Sequence, residues 1–221
     1  MKRKVITALL AATMVASLAV GCGNKGGDSK SDSSKSSSSD EITIGFSQVG
    51  AESDWRTANS ESMKSTFSEK NGYKLIFDDA QQKQENQITA IRNFIQQDVD
   101  YIVLAPVTET GWDTVLKEAK DADIPVIIVD RMIDVSDDSL YTAWVGSNFK
   151  MEGQKACEWL NAYAEAKGMK EVNIAHIQGT IGASAQIGRT EGLEEAAKEY
   201  GWNIVAQQTG EFTQAKGQEV M

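Results

Sequence analysis

Residues 101–130, Y-I-V-L-A-P-V-T-E-T-G-W-D-T-V-L-K-E-A-K-D-A-D-I-P-V-I-I-V-D, contain a strand, a helix and a second strand in succession. The apolar run 101–105 ends at Pro106, and the run 124–129 is rich in β-branched residues. Short apolar runs of this kind are typical of buried strands. Residues 111–122 between them have the pattern of a helix, so this stretch predicts two parallel strands joined by a crossover helix.

The same alternation of strand and helix continues on both sides of this stretch. On the N-terminal side we predict strands at 42–46 and 73–77 and helices at 55–70 and 84–97. On the C-terminal side we predict, in order, a strand at 141–145, a helix at 148–167, a strand at 172–178, a helix at 184–200, a strand at 202–206 and a helix from 213 onward. The predicted fold class is α/β, with a doubly wound parallel sheet.

The number of predicted units on each side of Gly146 differs. Residues 41–146 hold five strands and predict a complete first α/β lobe. Residues 147–221 are too few to build a second lobe of the same size, so we expect a partial second α/β lobe there. The sequence ends at Met221 within the last predicted helix.

The N-terminal forty residues predict export and a membrane anchor. Basic residues 2–4 precede an apolar run at 5–20 and the small residue Gly21, which is the layout of a signal peptide over residues 1–21. Residues 18–22, L-A-V-G-C, resemble the lipobox of bacterial lipoproteins, in which the cysteine, here Cys22, becomes lipid-modified. An ordinary secretory signal with a chance cysteine is the alternative. The Ser-rich segment that completes residues 22–40 cannot bury apolar area and predicts a flexible linker.

Composition excludes several classes of function. The net charge is −10 and the pI is about 4.7, whereas nucleic-acid binding through phosphates needs a basic surface, so we expect no nucleic-acid partner. The chain has two cysteines and one histidine at spacings that fit neither a zinc site nor a disulfide framework. Cys157 is predicted to be a core residue. We therefore expect no metal and no cofactor.

Motifs typical of enzymes are incomplete. Residues 45–50 have the glycine spacing of a phosphate loop, but Ala51-Glu52 stands where that loop needs Lys-Ser/Thr. Residues 182–186 approach the nucleophile elbow G-x-S-x-G without its last glycine, and His176 lies inside a predicted strand. The sequence therefore predicts no enzymatic activity.

Residues near the carboxyl ends of the predicted strands are suited to a neutral, polyhydroxylated ligand. In parallel sheets these ends form the ligand crevice. Planar charged groups bind adjacent hydroxyls, and an indole covers the apolar face of a sugar ring. The candidates from the first and fourth strands are Ser47, Gln48, Trp55, Arg56, Asp130 and Arg131. Alternatively, Asp130-Arg131 is a solvated strand end and Trp55 a core aromatic; Trp112 could reach the crevice or pack in the core.

Five segments carry a resemblance to a known family. Residues 44–48, 53–56, 79–87, 106–113 and 124–131 resemble the type I sugar-binding proteins of bacterial ABC transporters, a group of periplasmic binding proteins. The likeness is strongest to the galactofuranose-binding branch, with ribose-binding proteins more distant, and it covers residues 42–221. It implies two α/β lobes, joined by three crossover strands, that close on a sugar and pass it unchanged to a membrane permease.

The resemblance also implies roles for individual residues. Trp55-Arg56 match the ring-facing positions after the first strand, Asp130-Arg131 match a pair that binds hydroxyls, and Arg189 matches an arginine that the second lobe directs into the cleft. The function implied is that of a lipid-anchored, monomeric receptor on the outer face of the cell membrane, with a monosaccharide ligand and an ABC permease as partner. A sugar-sensing module that signals to a membrane receptor, or a truncated fragment that does not bind, are the alternatives.

Overall fold

The computed structural model describes residues 41–221. The signal peptide predicted at 1–21, and the lipid-modified Cys22 and linker predicted at 22–40, lie outside the described residues. The elements are β1 (Ile42–Gln48), α1 (Asp54–Thr66), β2 (Tyr73–Asp79), α2 (Gln84–Gln96), β3 (Tyr101–Leu104), α3 (Asp113–Asp121), β4 (Val126–Asp130), β5 (Ala143–Gly146), α4 (Phe149–Ala166), β6 (Asn173–Gln178), α5 (Ser184–Tyr200), β7 (Asn203–Thr209) and α6 (Gln214–Val220). Short 3₁₀ turns occur at Glu69–Asn71 and Asp138–Leu140.

Strands β1 to β5 form one parallel sheet in the order β2-β1-β3-β4-β5. Helices α2 and α3 cover one face, where Ile91, Leu104 and Trp112 belong to a single buried cluster. On the other face Phe46 and Val103 pack with residues of α1. Helices on both faces of a parallel sheet confirm the predicted doubly wound α/β class.

Strands β6 and β7 form a second, two-stranded parallel sheet. Helices α4 and α5 lie against each other, and with β6 and β7 they enclose a small core of Cys157, Leu193, Ala196, Ala197 and Trp202. The two helices cross at glycines: a Cβ at Gly153 would lie 2.7 Å from Arg189 O, and one at Gly188 would lie 2.8 Å from Lys150 N. This close backbone approach fixes the position of Arg189 relative to α4.

Two element ends differ from the sequence prediction in ways that affect the site. Strand β1 extends to Gln48 rather than ending at residue 46, and β7 extends to Thr209 rather than to 206.

Trp112 is fully buried, and its Nε1 donates a hydrogen bond to Thr108 O, so this tryptophan packs in the core. Within residues 41–221, no helix has the length and apolar character needed to cross a bilayer.

Candidate functional site

A cavity of about 290 Å³ lies beyond the carboxyl ends of β1 and β4, beside the start of α4 and α5. Its volume lies just below the range of about 300–1,000 Å³ that small-molecule pockets occupy. Both sheets contribute to it through their loops and helix starts. The lining residues are Glu52, Ser53, Trp55, Arg56, Asp130, Arg131, Ser147, Phe149, Glu152, Ala185, Arg189 and Phe212.

Arg56 reaches the cavity from the first turn of α1. Ser53 caps this helix, and its Oγ accepts a hydrogen bond from Arg56 N at 3.2 Å. The Arg56 side chain is only 3% exposed. Its Nε donates to Glu52 Oε1 at 3.1 Å and its Nη2 donates to Asp130 Oδ2 at 2.8 Å. The guanidinium is therefore held in one orientation by two carboxylates, one from the loop between β1 and α1 and one from the end of β4.

Asp130 ends β4 in an unusual backbone conformation. Its φ is +63°, in the left-handed region that Asp tolerates better than most non-glycine residues. The Asp130 carbonyl oxygen accepts a hydrogen bond from Trp144 Nε1 at 3.3 Å. A Cβ at Gly146 on the neighbouring strand would lie 2.1 Å from that same oxygen, so glycine is required there. This turn of the chain places the carboxylate within reach of Arg56.

Arg131 is the second buried arginine of the site. Its Nη1 donates to Val107 O at 3.2 Å, its Nη2 lies 3.7 Å from Glu52 Oε1, and its guanidinium lies 4.9 Å from the Phe212 ring centroid. Burial, and then the nearby charge of Arg56, lower the pKa of Arg131 to about 10. The side chain is therefore still cationic at neutral pH.

The opposite wall of the cavity is more open. Arg189 on α5 forms an ion pair with Glu152 on α4, with Nη2 2.9 Å from Oε2. The guanidinium also lies 5.0 Å from the centroid of the Phe149 ring. Both charged side chains are more than 40% exposed, so a ligand can reach them without displacing protein atoms.

The charges in the cavity wall are balanced. Three arginines and three carboxylates line it, and each arginine has a carboxylate within 4.0 Å. Trp55 is 58% exposed beside Arg56 and offers an aromatic surface at the same cavity. Paired guanidinium and carboxylate groups next to an aromatic wall can bind adjacent hydroxyls and the apolar face of a sugar ring.

Five of the seven ligand-binding candidates predicted from the sequence line this cavity, namely Trp55, Arg56, Asp130, Arg131 and Arg189. Contrary to expectation, Ser47 and Gln48 do not. Both are fully buried within β1, and Gln48 Nε2 donates to Asn59 Oδ1 and Ser60 Oγ on α1. Because β1 is two residues longer than predicted, both side chains lie within the sheet instead of beyond the strand end: Gln48 holds α1 on the sheet, and the Ser47 hydroxyl is buried without a hydrogen-bond partner.

Four prominent lining residues were missed by the sequence analysis: Glu52, Phe149, Glu152 and Phe212. Trp55 was chosen because it follows the carboxyl end of a strand. Phe212 would have been chosen for the same reason if β7 had been predicted to continue to Thr209. In the sequence, Glu52 stands out only as a residue that is incompatible with a phosphate loop. The available signal was its spacing: Glu52 lies four residues before Arg56 and carries the opposite charge, which favours an ion pair between the two.

The incomplete enzyme motifs do not form a second polar site. Ser184 Oγ accepts a hydrogen bond from Met132 N at 2.8 Å, at the start of α5. His176 lies on β6, and burial lowers its pKa. Among residues 41–221 there is no group of three or more His, Cys, Asp and Glu side chains able to hold a metal ion.

Comparison with known proteins adds independent information. Residues 44–221 match the family model described as a periplasmic binding protein domain. The chain is 50% identical over 181 residues to the galactofuranose-binding protein YtfQ of Escherichia coli (strain K12), covering 81% of this chain and 56% of the relative. It is 35% identical over 164 residues to the fructose import binding protein FruE of Bifidobacterium longum (strain NCC 2705), covering 72% of this chain and 47% of the relative.

A solved structure supports the same relationship. The periplasmic binding protein component of the arabinose ABC transporter from Shewanella sp. ANA-3, bound to α- and β-L-arabinofuranose, is 53% identical. It superposes with a TM-score of 0.75 over 81% of this chain and 58% of that one. The chain spans about half the length of the curated relatives it matches. The family match, these identities and the parallel α/β fold agree, and the chain therefore belongs to the periplasmic binding protein family, in its type I group.

Proposed function

We propose that this protein is an extracytoplasmic solute-binding protein that binds a neutral monosaccharide in the cavity and delivers it to an ABC importer. The observation that carries this proposal is the charge-balanced set of arginines and carboxylates beside Trp55. Such a set offers donors and acceptors to hydroxyl groups without requiring a charge on the ligand.

Arg56 and Asp130 are the central hydroxyl-binding pair in this proposal. Arg56 Nη1 is buried without a hydrogen-bond partner in the protein, although its residue lines the cavity. Buried donors are nearly always paired in native complexes, so a ligand oxygen is a fitting partner. Asp130 Oδ1 is available to accept from a neighbouring hydroxyl while Oδ2 accepts from Arg56. The two side chains would then bind adjacent hydroxyls of one sugar ring.

The names of the relatives narrow the proposed substrate class. The Escherichia coli relative is named for galactofuranose, and the Shewanella structure holds arabinofuranose. At 50% and 53% identity these are the relatives whose ligands are most informative among those compared. We therefore propose a furanose, or a related monosaccharide, as the ligand.

Binding to a furanose can be tested by calorimetry on the full-length protein with D-galactose, L-arabinose, D-fucose and D-fructose, which all contain furanose forms in solution. We expect at least one of these sugars to bind, and Asp130→Asn to abolish or strongly weaken that binding. A saturating sugar, at a hundred times its Kd, stabilises the folded state by about 2.7 kcal/mol, so thermal unfolding provides a second readout.

A matched control exists for this substitution. Asp123 also has a positive φ, +59°, but it is exposed and is not among the residues that line the cavity. Asp123→Asn should leave sugar binding unchanged, because it alters an aspartate of similar backbone conformation outside the site. If both variants bind like the wild type, the site assignment is wrong, and if no sugar binds the wild type, the proposed function is wrong.

The proposal also includes a lipid anchor at Cys22 and a linker that completes residues 22–40. A flexible chain of this length has a root-mean-square span of about 20–25 Å, which would hold the folded part away from the membrane surface. Cys22→Ser should release the protein from the membrane fraction into the soluble extracytoplasmic fraction, because a lipid-modified cysteine is the only anchor proposed. Retention of the Cys22→Ser protein in membranes would contradict the anchor.

A further inference from the structure

We infer that Glu52 is a specificity-determining residue, whose buried charge keeps the cavity neutral so that the site accepts uncharged sugars and rejects sugar acids. This inference rests on the proposed function and deepens it. It concerns a residue that holds the two buried arginines and sets the ligand charge that the site accepts.

The position of Glu52 differs from that of the other two carboxylates. Its side chain is 2% exposed, compared with 15% for Asp130 and 42% for Glu152. Its Oε1 lies 3.1 Å from Arg56 Nε and 3.7 Å from Arg131 Nη2. One carboxylate oxygen is therefore shared between both buried guanidinium groups.

The contacts of Glu52 indicate a charge-balancing role rather than a backbone-holding one. Its hydrogen bond within the protein goes to Arg56, and its Oε2 is buried without a partner. Removing a carboxylate from water is costly unless opposite charge compensates for it. The buried charge of Glu52 is compensated because Arg56 and Arg131 both lie near it. In turn, Glu52 compensates the buried charges of these two arginines.

The balance of charge determines which ligands the cavity accepts. With Glu52 present, Arg56 and Arg131 are offset by Glu52 and Asp130, and Arg189 by Glu152. An anionic ligand would bring a net negative charge into a neutral, partly desolvated site. Without the charge of Glu52 the lining would carry a net charge of about +1, and charged groups interact strongly at short range in such a site.

The decisive test compares D-galactose with D-galacturonate, which differ in charge at one carbon atom. The substitution is Glu52→Gln in the full-length protein, because glutamine keeps the shape and the acceptor for Arg56 while removing the charge. We expect the ratio of galacturonate to galactose affinity to rise by about tenfold or more, because the negative charge of galacturonate is then attracted by the net positive charge of the lining. The gain should shrink in high salt, because it is electrostatic.

The matched control is Glu61→Gln, which makes the same change at an exposed glutamate on α1. This variant should leave the affinity ratio unchanged. A purely structural role for Glu52 would weaken binding of both sugars equally, and that result would overturn the inference. Wild-type protein that binds galacturonate as tightly as galactose would also overturn it.

A double variant covers the case in which Glu52→Gln does not fold. Glu52→Gln with Arg131→Gln removes one charge of each sign and restores neutrality. This pair should recover folding, or, where the single variant folds, should remove its gain in galacturonate binding. A double variant that recovers neither would contradict a role in charge balance.

A sugar-independent measurement separates this inference from the proposed function. Inorganic sulfate, compared with sodium chloride at matched ionic strength, should raise the Tm of Glu52→Gln more than that of the wild type or Glu61→Gln. If no neutral sugar binds but this shift occurs, the proposed function fails while the role of Glu52 stands. If the sulfate shift is the same in all three proteins, the inference about Glu52 fails.

Discussion

The two sheets contribute opposite kinds of wall to one cavity. Residues 41–146 form a five-stranded sheet with helices on both faces, and they supply Glu52, Arg56 and Arg131, whose side chains are at most 4% exposed. Residues 147–221 form a two-stranded sheet with two packed helices and supply Arg189 and Glu152, which are more than 40% exposed. A large core can hold buried charges in fixed positions, whereas a small one presents them at its surface.

The contrast teaches that similar ion pairs in one site carry different energies. Arg56 and Arg189 each contact a carboxylate at about the same distance, 2.8 Å and 2.9 Å. The buried pair is costly to break, because the partner is left uncompensated away from water. The exposed pair is screened by solvent and contributes little to stability. Burial, rather than distance, separates them.

The largest effect should come from truncating the buried arginine. Arg56→Ala leaves Asp130 without its hydrogen-bond partner and Glu52 with only the more distant Arg131, so we expect a loss of about 3–5 kcal/mol in the free energy of unfolding. Arg189→Ala should change that free energy by less than about 1 kcal/mol. Both variants should weaken sugar binding. Urea denaturation and calorimetry measure the two effects, and equal destabilisation by both substitutions would contradict the comparison.

An intermediate effect should distinguish the two cores. Leu104 in β3 is fully buried, whereas Leu193 in α5 is 9% exposed within a core of mostly small residues. Leucine-to-alanine changes cost about 2–5 kcal/mol, more where the surroundings cannot collapse. We expect Leu104→Ala to approach the upper end of that range and Leu193→Ala the lower. Denaturant titration of both variants would contradict this reasoning if Leu193→Ala were the more damaging.

The smallest effect is a pH dependence of stability at the contact between residues 41–146 and residues 147–221. Glu109 N donates to Gly182 O at 2.8 Å, and burial raises the pKa of Glu109 above its ordinary value of 4.5, with Asp134 and Glu191 adding to the shift. Because the folded-state pKa is the higher one, the stability that this carboxyl contributes is present below pH 4.5 and is lost as pH rises through the raised value.

Glu109→Gln should flatten this part of the pH profile. The difference in Tm between wild type and variant should therefore change as pH rises from about 4 to 7, in favour of the variant. Glu61→Gln, at an exposed site, serves as the control. Parallel Tm profiles for wild type and Glu109→Gln would show that this carboxyl does not contribute.

Much of the fold follows from local sequence. Continuous apolar runs such as residues 101–105 are typical of buried strands, and helix α5 begins and ends where it was predicted. The meeting of Arg56 and Asp130 was also predictable, because parallel strands bring their carboxyl ends to one edge of the sheet. In these cases local pattern and overall topology lead to the same residues.

The errors arise where polar residues continue a strand. Ser47 and Gln48 are polar but buried, because β1 is central and Ser47 pairs with residues of both β2 and β3. The polar end of β7 at Thr209 is also part of a strand, because Thr209 pairs with Gln178 of β6. A prediction from hydrophobicity alone ends both strands too early. The residues expected to lie just beyond the strand ends are therefore assigned wrongly.

The exposed indole of Trp55 gives the protein an optical readout of its own site. Indole fluorescence responds to contact with water, and Trp55 is 58% exposed at the cavity, with the Arg56 guanidinium 4.9 Å from its ring centroid. Of the other four tryptophans, Trp112 and Trp202 are buried, whereas Trp144 and Trp159 are 37% and 68% exposed but do not line the cavity, so a Trp55→Phe variant identifies the part of the emission that belongs to the site. A sugar lying against Trp55 would displace water and change the emission, so occupancy can be followed without any attached dye.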